Sequence, residues 1–304
     1  MIDPQPDFQP VQGHAEQLAP GLRRILAPNP SPMTFRGTNT YVLGHRALAV
    51  IDPGPLSDTH LAAILSAVGP QQSISHILVT HAHLDHSPLA RPLSEATGAP
   101  VLAFGDARAG RSALMRQLAE TGLAGGGEGV DAGFVPDETL ADGALIEGDG
   151  WRLEALHTPG HFGNHLSFAW GDVLFSGDLV MGWASSLVSP PDGDLGAFMQ
   201  SLERLRCRRW SRMHPGHGAP VTDTAARLDA LLAHRRAREA SILEALAKAP
   251  ADAATLAAAI YKDTDPVLLP AAVRNVLAHL IDLTQRNAVI SLGHLEKDAV
   301  FSMA

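Results

Sequence analysis

Ile77-Leu78-Val79-Thr80-His81-Ala82-His83-Leu84-Asp85-His86 is the stretch from which the rest of the chain can be read. An apolar, β-prone run ends in four metal-ligand side chains within six positions. On the extended end of a strand, residues two apart point to the same side, so His81 and His83 can grip one metal ion. After the chain turns, Asp85 and His86 offer an oxygen and a nitrogen to a second. Setting four such groups against an apolar strand is costly unless water or metal satisfies them.

Three further segments repeat the logic: Thr158-Pro159-Gly160-His161, Phe175-Ser176-Gly177-Asp178 and Pro215-Gly216-His217-Gly218. Each sets one ligand-type residue beside Gly or Pro at a strand end, so the side chain projects from a sheet edge into a shared cleft. Eight of the 15 histidines fall within positions 81–86, 157–165 and 214–217. Among them His157, His165 and His214 flank the ligand candidates, as outer hydrogen-bond partners, substrate contacts or plain strand-end polar residues.

Around these segments the 304 residues are 45% hydrophobic and 18% charged, enough apolar content for a sizeable core and unlike a disordered chain. The lone Cys207 allows no internal disulfide, which is compatible with a reducing compartment. The formal charge is −9, with −8 in residues 1–222 and −1 after them, a poor footprint for a nucleic-acid binder. The N-terminus lacks a basic and apolar leader, and no uncharged apolar run approaches a membrane span. A cytoplasmic protein without membrane contact is expected.

Short β-type runs alternate with helical periodicity over residues 39–222, the rhythm of layered α and β structure. Strands are expected at 40–43, 47–51, 76–80, 101–103, 151–156, 165–170, 172–175 and 210–214. Helices are expected at 57–68, with Ser57 as cap and Gly69 as stop, and at 194–208. Residues 124–132, with three consecutive glycines, read as a flexible surface loop. From 223 the pattern is nearly continuous helix (223–249, 253–261, 266–287), broken at Pro250 and Asp263-Thr264-Asp265-Pro266 and closed by β-type runs at 288–292 and 299–302. Two domains are expected, 1–222 and a winged-helix-like 223–304.

The ordered set His81, His83, Asp85, His86, His161, Asp178 and His217 resembles the metallo-β-lactamase superfamily over roughly residues 35–222. That resemblance implies an α+β fold, a four-layer αββα sandwich with two metal ions at one edge of its sheets. His81, His83 and His161 would hold the first ion, Asp85, His86 and His217 the second, and Asp178 would bridge. Common zinc β-lactamases carry cysteine at the Asp178 position, so the pattern looks closer to the glyoxalase II-like and other hydrolytic branches. Gly37-Thr38-Asn39-Thr40-Tyr41 is similar to a stretch that lies near the cleft in the superfamily, which makes Asn39 a candidate substrate or support residue. The C-terminal segment, through His234-Arg235-Arg236, Ile260-Tyr261 and Asn275 to Leu280, resembles the appended domain of the beta-lactamase-like protein 2 group, one branch of which cleaves single-stranded RNA. Ser185-Ser186-Leu187 lies where that group builds its cleft. Phe162-Gly163-Asn164 departs from the Thr/Asp residues usual after the histidine.

A binuclear metal-dependent hydrolase is therefore expected, with a metal-bound hydroxide attacking an ester, thioester or lactone, and with Asp85 and Asp178 as the candidate catalytic carboxylates. Zinc suits the nitrogen and oxygen donors first; iron or manganese are alternatives. A metal-dependent endonuclease for single-stranded RNA is the second reading. A nucleic-acid-binding regulator with a structural metal site is the third, disfavoured because structural zinc is normally closed off by four protein ligands. The partner is a small molecule or RNA, and a dimer fits either. The cluster Arg204, Arg206, Arg208, Arg209 and Arg212 reads as a phosphate stripe or, more commonly, a solvated helix face.

Overall fold

In the computed structural model, residues 3–123, 129–262 and 264–304 are described. The three glycines at 125–127 and Asp263, both assigned above to breaks in the chain, lie outside the described residues. Two mixed sheets carry the N-terminal part. The first holds seven strands in chain order: β1 (Ala15–Ala19), β2 (Leu22–Leu26), β3 (Asn39–Leu43), β4 (Ala47–Ile51), β5 (Ser73–Leu78), β6 (Val101–Ala103) and β7 (Glu138–Thr139). β1 to β4 pair antiparallel and β4 to β7 parallel. Helices α1 (Asp58–Ser66) and α2 (Ala90–Thr97) make the crossovers on either side of β5, and α3 (Ala113–Glu120) follows β6. The second sheet holds β8 (Leu145–Gly148), β9 (Trp151–His157), β10 (Leu166–Trp170), β11 (Val173–Gly177) and β12 (Arg212–Pro215), with α4 (Leu195–Arg206) crossing between the parallel pair β11 and β12.

Both faces of the central strands are buried, which is why they read as apolar runs without polar alternation. In β4, Leu48 and Val50 pack outward with Ile64 and Leu93. Ala49 and Ile51 face the other sheet and pack with Leu153 and Phe168. A third cluster joins Leu174 to Phe198, Leu202 and Leu205 of α4. Helix, sheet, sheet, helix is thus the layer order, with the two sheets closing on each other and a helical layer outside each. Ser57 caps α1, accepting from the His60 N–H, and Asp194 caps α4, accepting from the Ala197 N–H.

Helix α5 (Thr224–Leu246) serves two cores. Leu228, Leu231 and Leu232 pack on α4, and Ile242 and Leu246 pack with Val276, Leu280 and Phe301. The latter group belongs to α6 (Ala253–Ile260), α7 (Leu269–Gln285) and a three-stranded sheet of β13 (Ala251–Asp252), β14 (Val289–Ser291) and β15 (Val300–Met303), the helices and wing expected there. Met115 and Leu118 of α3 join the same cluster. Residues 266–285 are long and apolar enough by composition to cross a membrane, yet they bury Val276, Leu280 and Leu283 in this core. One expectation changes. The described part of the glycine-rich loop is pinned, because Val130 pairs with His83 and the Asp131 N–H donates to the Ala82 carbonyl.

Candidate metal centre and its cleft

The loops that follow β5, β9, β11 and β12 bring the seven predicted ligands together. His81, His83 and His161 form one group whose ring nitrogens converge, His81 Nε2 lying 2.9 Å and His161 Nε2 3.1 Å from His83 Nδ1. Asp85, His86 and His217 form another: His217 Nε2 is 3.1 Å from Asp85 Oδ2 and 3.3 Å from His86 Nε2. Asp178 stands between them, its Oδ2 3.3 Å from His217 Nε2 and 3.8 Å from His161 Nε2, its Oδ1 3.5 Å from His86 Nε2. Gly216 is required here, since a Cβ on it would sit 2.3 Å from Asp178 Oδ1.

The outward nitrogens of four of the five histidines are held, which sets the nitrogen each presents inward. Thr80 Oγ1 donates to Asp52 Oδ2 and so accepts from His81 Nδ1 at 2.9 Å. His86 Nδ1 donates to Asp52 Oδ2 at 2.9 Å, His217 Nδ1 to the Gly37 carbonyl at 3.1 Å and His161 Nδ1 to the Leu187 carbonyl at 2.6 Å. Asp52 is the functional residue that sequence reasoning missed. Its φ of 51° turns the carboxylate back from the end of β4 under Thr80 and His86, and a carboxylate ending an otherwise apolar strand was the available signal.

The flanking candidates divide. His165 Nε2 accepts from the Asp178 N–H at 3.2 Å while its Nδ1 meets Thr158 Oγ1 at 3.0 Å, so it holds the Asp178 turn. Asn39 donates to the Pro215 and Gly218 carbonyls and fixes the turn that carries His217. Asn164, within the departure from the usual family pattern, accepts from the Ala82 N–H and donates to the Gly105 and Asp106 carbonyls, tying down the first ligand loop. His157 stacks on Phe104 and bonds the Gly163 carbonyl; His214 packs against both the Tyr41 and Phe175 rings, which also touch each other. Neither reaches the ligand nitrogens. Of the arginine cluster, Arg204, Arg206 and Arg208 pair with Asp142, Asp229 and Glu154, as a solvated helix face does.

The two ligand groups differ electrically. Burial, then the neighbouring imidazoles, push His83 down to about 3 and His81 well below its ordinary value; burial also lowers His161. Burial opposes protonation at His217 too, but Asp178 and Asp85 outweigh it and raise the group to about 10. His86 is raised well above the ordinary value, against its burial, by Asp85, Asp178 and Asp52. Burial would raise Asp85 and Asp178, yet the facing histidines hold both well below the usual carboxylate range.

These residues fit a pair of divalent ions. Two nitrogens on one tetrahedral zinc, each at about 2.0–2.1 Å, lie about 3.3 Å apart, close to the spacings above. Asp178 Oδ1 is buried without a hydrogen-bond partner among the described residues, an arrangement that is costly without a cation. Five imidazoles and two carboxylates without a thiolate suit zinc, iron or manganese. One side of the cluster is open: Asp85 is 26% exposed and, with His83, His161 and Asp178, lines a cavity of about 590 Å³. Met33, Met181, Trp183, Leu187, Tyr261 and Leu268 form much of its wall, the last two from the C-terminal part of the chain.

A four-layer sandwich whose His/Asp groups could hold metal ions beside a cleft defines the class, a metallo-hydrolase scaffold. The metallo-beta-lactamase superfamily model matches residues 33–255 and the beta-lactamase associated winged helix domain model residues 253–297. The chain belongs to the metallo-beta-lactamase superfamily and carries that winged helix domain. It is 31% identical to a beta-lactamase-like protein 2 homolog of Drosophila melanogaster, over 88% of this chain and 89% of the relative. It is 30% identical to an atrochrysone carboxyl ACP thioesterase of Claviceps purpurea, over 80% of this chain and 71% of that one. In fold it is similar to a beta-lactamase domain protein from Burkholderia ambifaria, at a TM-score of 0.81 and 24% identity, covering 99% of this chain and 96% of the other.

Proposed function

We propose that this hydrolase cleaves carbonyl esters, acyl thioesters foremost, with two divalent ions and zinc as the first candidate. The observation that carries the reading is the juxtaposition of the seven-ligand cluster with an apolar cavity that it helps to line. Divalent ions held there would supply Lewis acidity and lower the pKa of water to about 7. His81, His83 and His161 would hold one ion, Asp85, His86 and His217 the other, and Asp178 would stand between. Asp85, ionised and partly exposed to the cavity, orients water arriving from that side. Met33, Trp183 and Leu268 offer an apolar wall that would seat an acyl group, while Arg235 and Arg274 on the same wall suit a carboxylate or phosphate on that substrate. Thioesters are the substrate class that the thioesterase relatives carry by name. The exposed, unpaired Cys207 accords with a reducing, cytoplasmic setting.

The test is a paired assay on purified, metal-loaded protein: acyl thioesters and lactones on one side, single-stranded RNA on the other. Thioester hydrolysis that a chelator abolishes is expected. RNA cleavage with an inert thioester panel would overturn this reading in favour of the endonuclease.

A further inference from the structure

Residues 181–189, which follow the Asp178 turn, form neither helix nor strand. They form a strap fastened at several points to the C-terminal helices. Arg227 of α5 donates to the Met181 and Ala184 carbonyls at 2.6 Å each. Arg235, one α5 segment further on, donates to the Ser186 carbonyl and, at 3.0 Å, to Asn275 Oδ1 on α7. The same Asn275 oxygen accepts from the Val188 N–H at 3.0 Å. Arg235 is 2% exposed, lies over the Phe198 ring and has no ion-pair partner among the described residues. A guanidinium buried that deeply is costly to hold, and its planar fork is used to span two acceptors.

The other side of the strap reaches the metal ligands. The Leu187 carbonyl, between the two residues that Arg235 and Asn275 hold, accepts from His161 Nδ1. Ser186 Oγ donates to the Asp178 carbonyl. We infer that Arg235 and Asn275 are positioning residues through which the C-terminal helices α5 and α7 set the candidate metal ligands His161 and Asp178. The link is one peptide long: both fasteners act on residues adjacent to Leu187, so a rotation of that peptide would turn the carbonyl away from His161 and release its ring. His81, His86 and His217 hang from other anchors and would not feel it directly. This rests on the metal-holding reading of the site.

The experiment compares full-length wild type with Arg235→Met, Asn275→Leu and Asn275→Asp. Asp keeps an oxygen that can accept from both Arg235 and Val188, and Leu removes it. Zinc affinities come from chelator competition, cobalt(II) spectra report each ion's environment, and His161→Ala marks the ion that depends on His161. Arg235→Met and Asn275→Leu are expected to weaken that ion by about 10- to 100-fold, as loss of a ligand's outer partner does, and the other ion by less. Asn275→Asp is expected to restore the wild-type affinity and spectrum, a rescue that a general loss of stability would not show. Both ions as tight as wild type in Asn275→Leu, or both weakened alike with no rescue by Asp, would overturn the inference. If Arg235→Met fails to fold, the Asn275 pair decides alone. Wild type that binds no metal refutes the functional reading instead, so the two failures are told apart.

Discussion

His86 and His161 sit in the same cluster but are held by different parts of the molecule. His86 and His81 hang from Asp52 and Thr80 at adjoining strand ends of the first sheet, and Asp52 bonds Thr80 through both of its oxygens. His161 hangs from a backbone carbonyl in the strap, which is tied in turn to helices more than 45 residues further along the chain. The sheet side is a rigid support made where the strands pair, with Ile51, Leu78 and their neighbours packed beneath it. The strap side has no such ladder and is tied instead to helices α5 and α7. One cluster thus combines a local and a remote means of fixing a ligand.

The largest effect is expected at the residue the two sides share. Asp178→Ala should leave the chain with fewer than two ions and abolish turnover; elemental analysis alongside steady-state kinetics checks both. Undiminished activity would remove Asp178 from the site. Next, Asp52→Ala breaks the sheet side alone, since it strips the partner of His86 and of Thr80. Metal affinity should drop by about 10- to 100-fold at the ion held with His86, measured by chelator competition. A smaller loss is expected at the ion held with His81, which hangs from Asp52 through Thr80; an Asp52→Ala variant that holds the His86 ion as tightly as wild type would show the two-sided picture to be wrong. His165→Leu should come third, because His165 only steadies the Asp178 turn through an N–H; both ions stay bound and turnover falls by less than with Asp52→Ala.

The smallest effect concerns the domain that holds the strap. His279 on α7 is buried with both ring nitrogens unpartnered among the described residues, and burial, then Arg235 and Arg238, push it down from 6.5 to about 3. The unfolded chain takes up a proton below about pH 6.5 that the folded chain refuses. Stability is therefore full above that pH and falls, by about 1.4 kcal/mol per pH unit, as pH drops toward 3. His279→Leu should flatten this part of the profile. Denaturant unfolding of metal-free protein at pH 7.5 and pH 5 checks it, and equal acid sensitivity in both proteins would contradict it.

The contrast between the two sides also marks what could be read from the chain. His161, Asp178 and His217 sit beside Gly at strand ends, and His81, His83, Asp85 and His86 crowd into six positions after β5, so the local pattern marked the candidate ligands. Strands such as β4 and β10 were legible because both faces are apolar. β1 and β2 were not: Ala-Glu-Gln-Leu-Ala lies at a sheet edge, and Leu-Arg-Arg-Ile-Leu beside it carries two arginines that break the apolar run. α2 starts without a side-chain cap. Asp52 reads as part of an Asp-Pro-Gly turn; its place at the end of an apolar strand hints at a role, and the positive φ shows the carboxylate aimed back at His86. The strap has no periodicity, and Arg235, Asn275 and Leu187 meet only after the domains pack.

Hydrolysis of an acyl thioester by chelator-stripped protein, followed as zinc is added back and the ions per chain are counted, tests the central claim most directly. No turnover without metal and a rise that saturates at two ions per chain are the predicted result. Full turnover by the stripped protein, or saturation at a single ion, would contradict it.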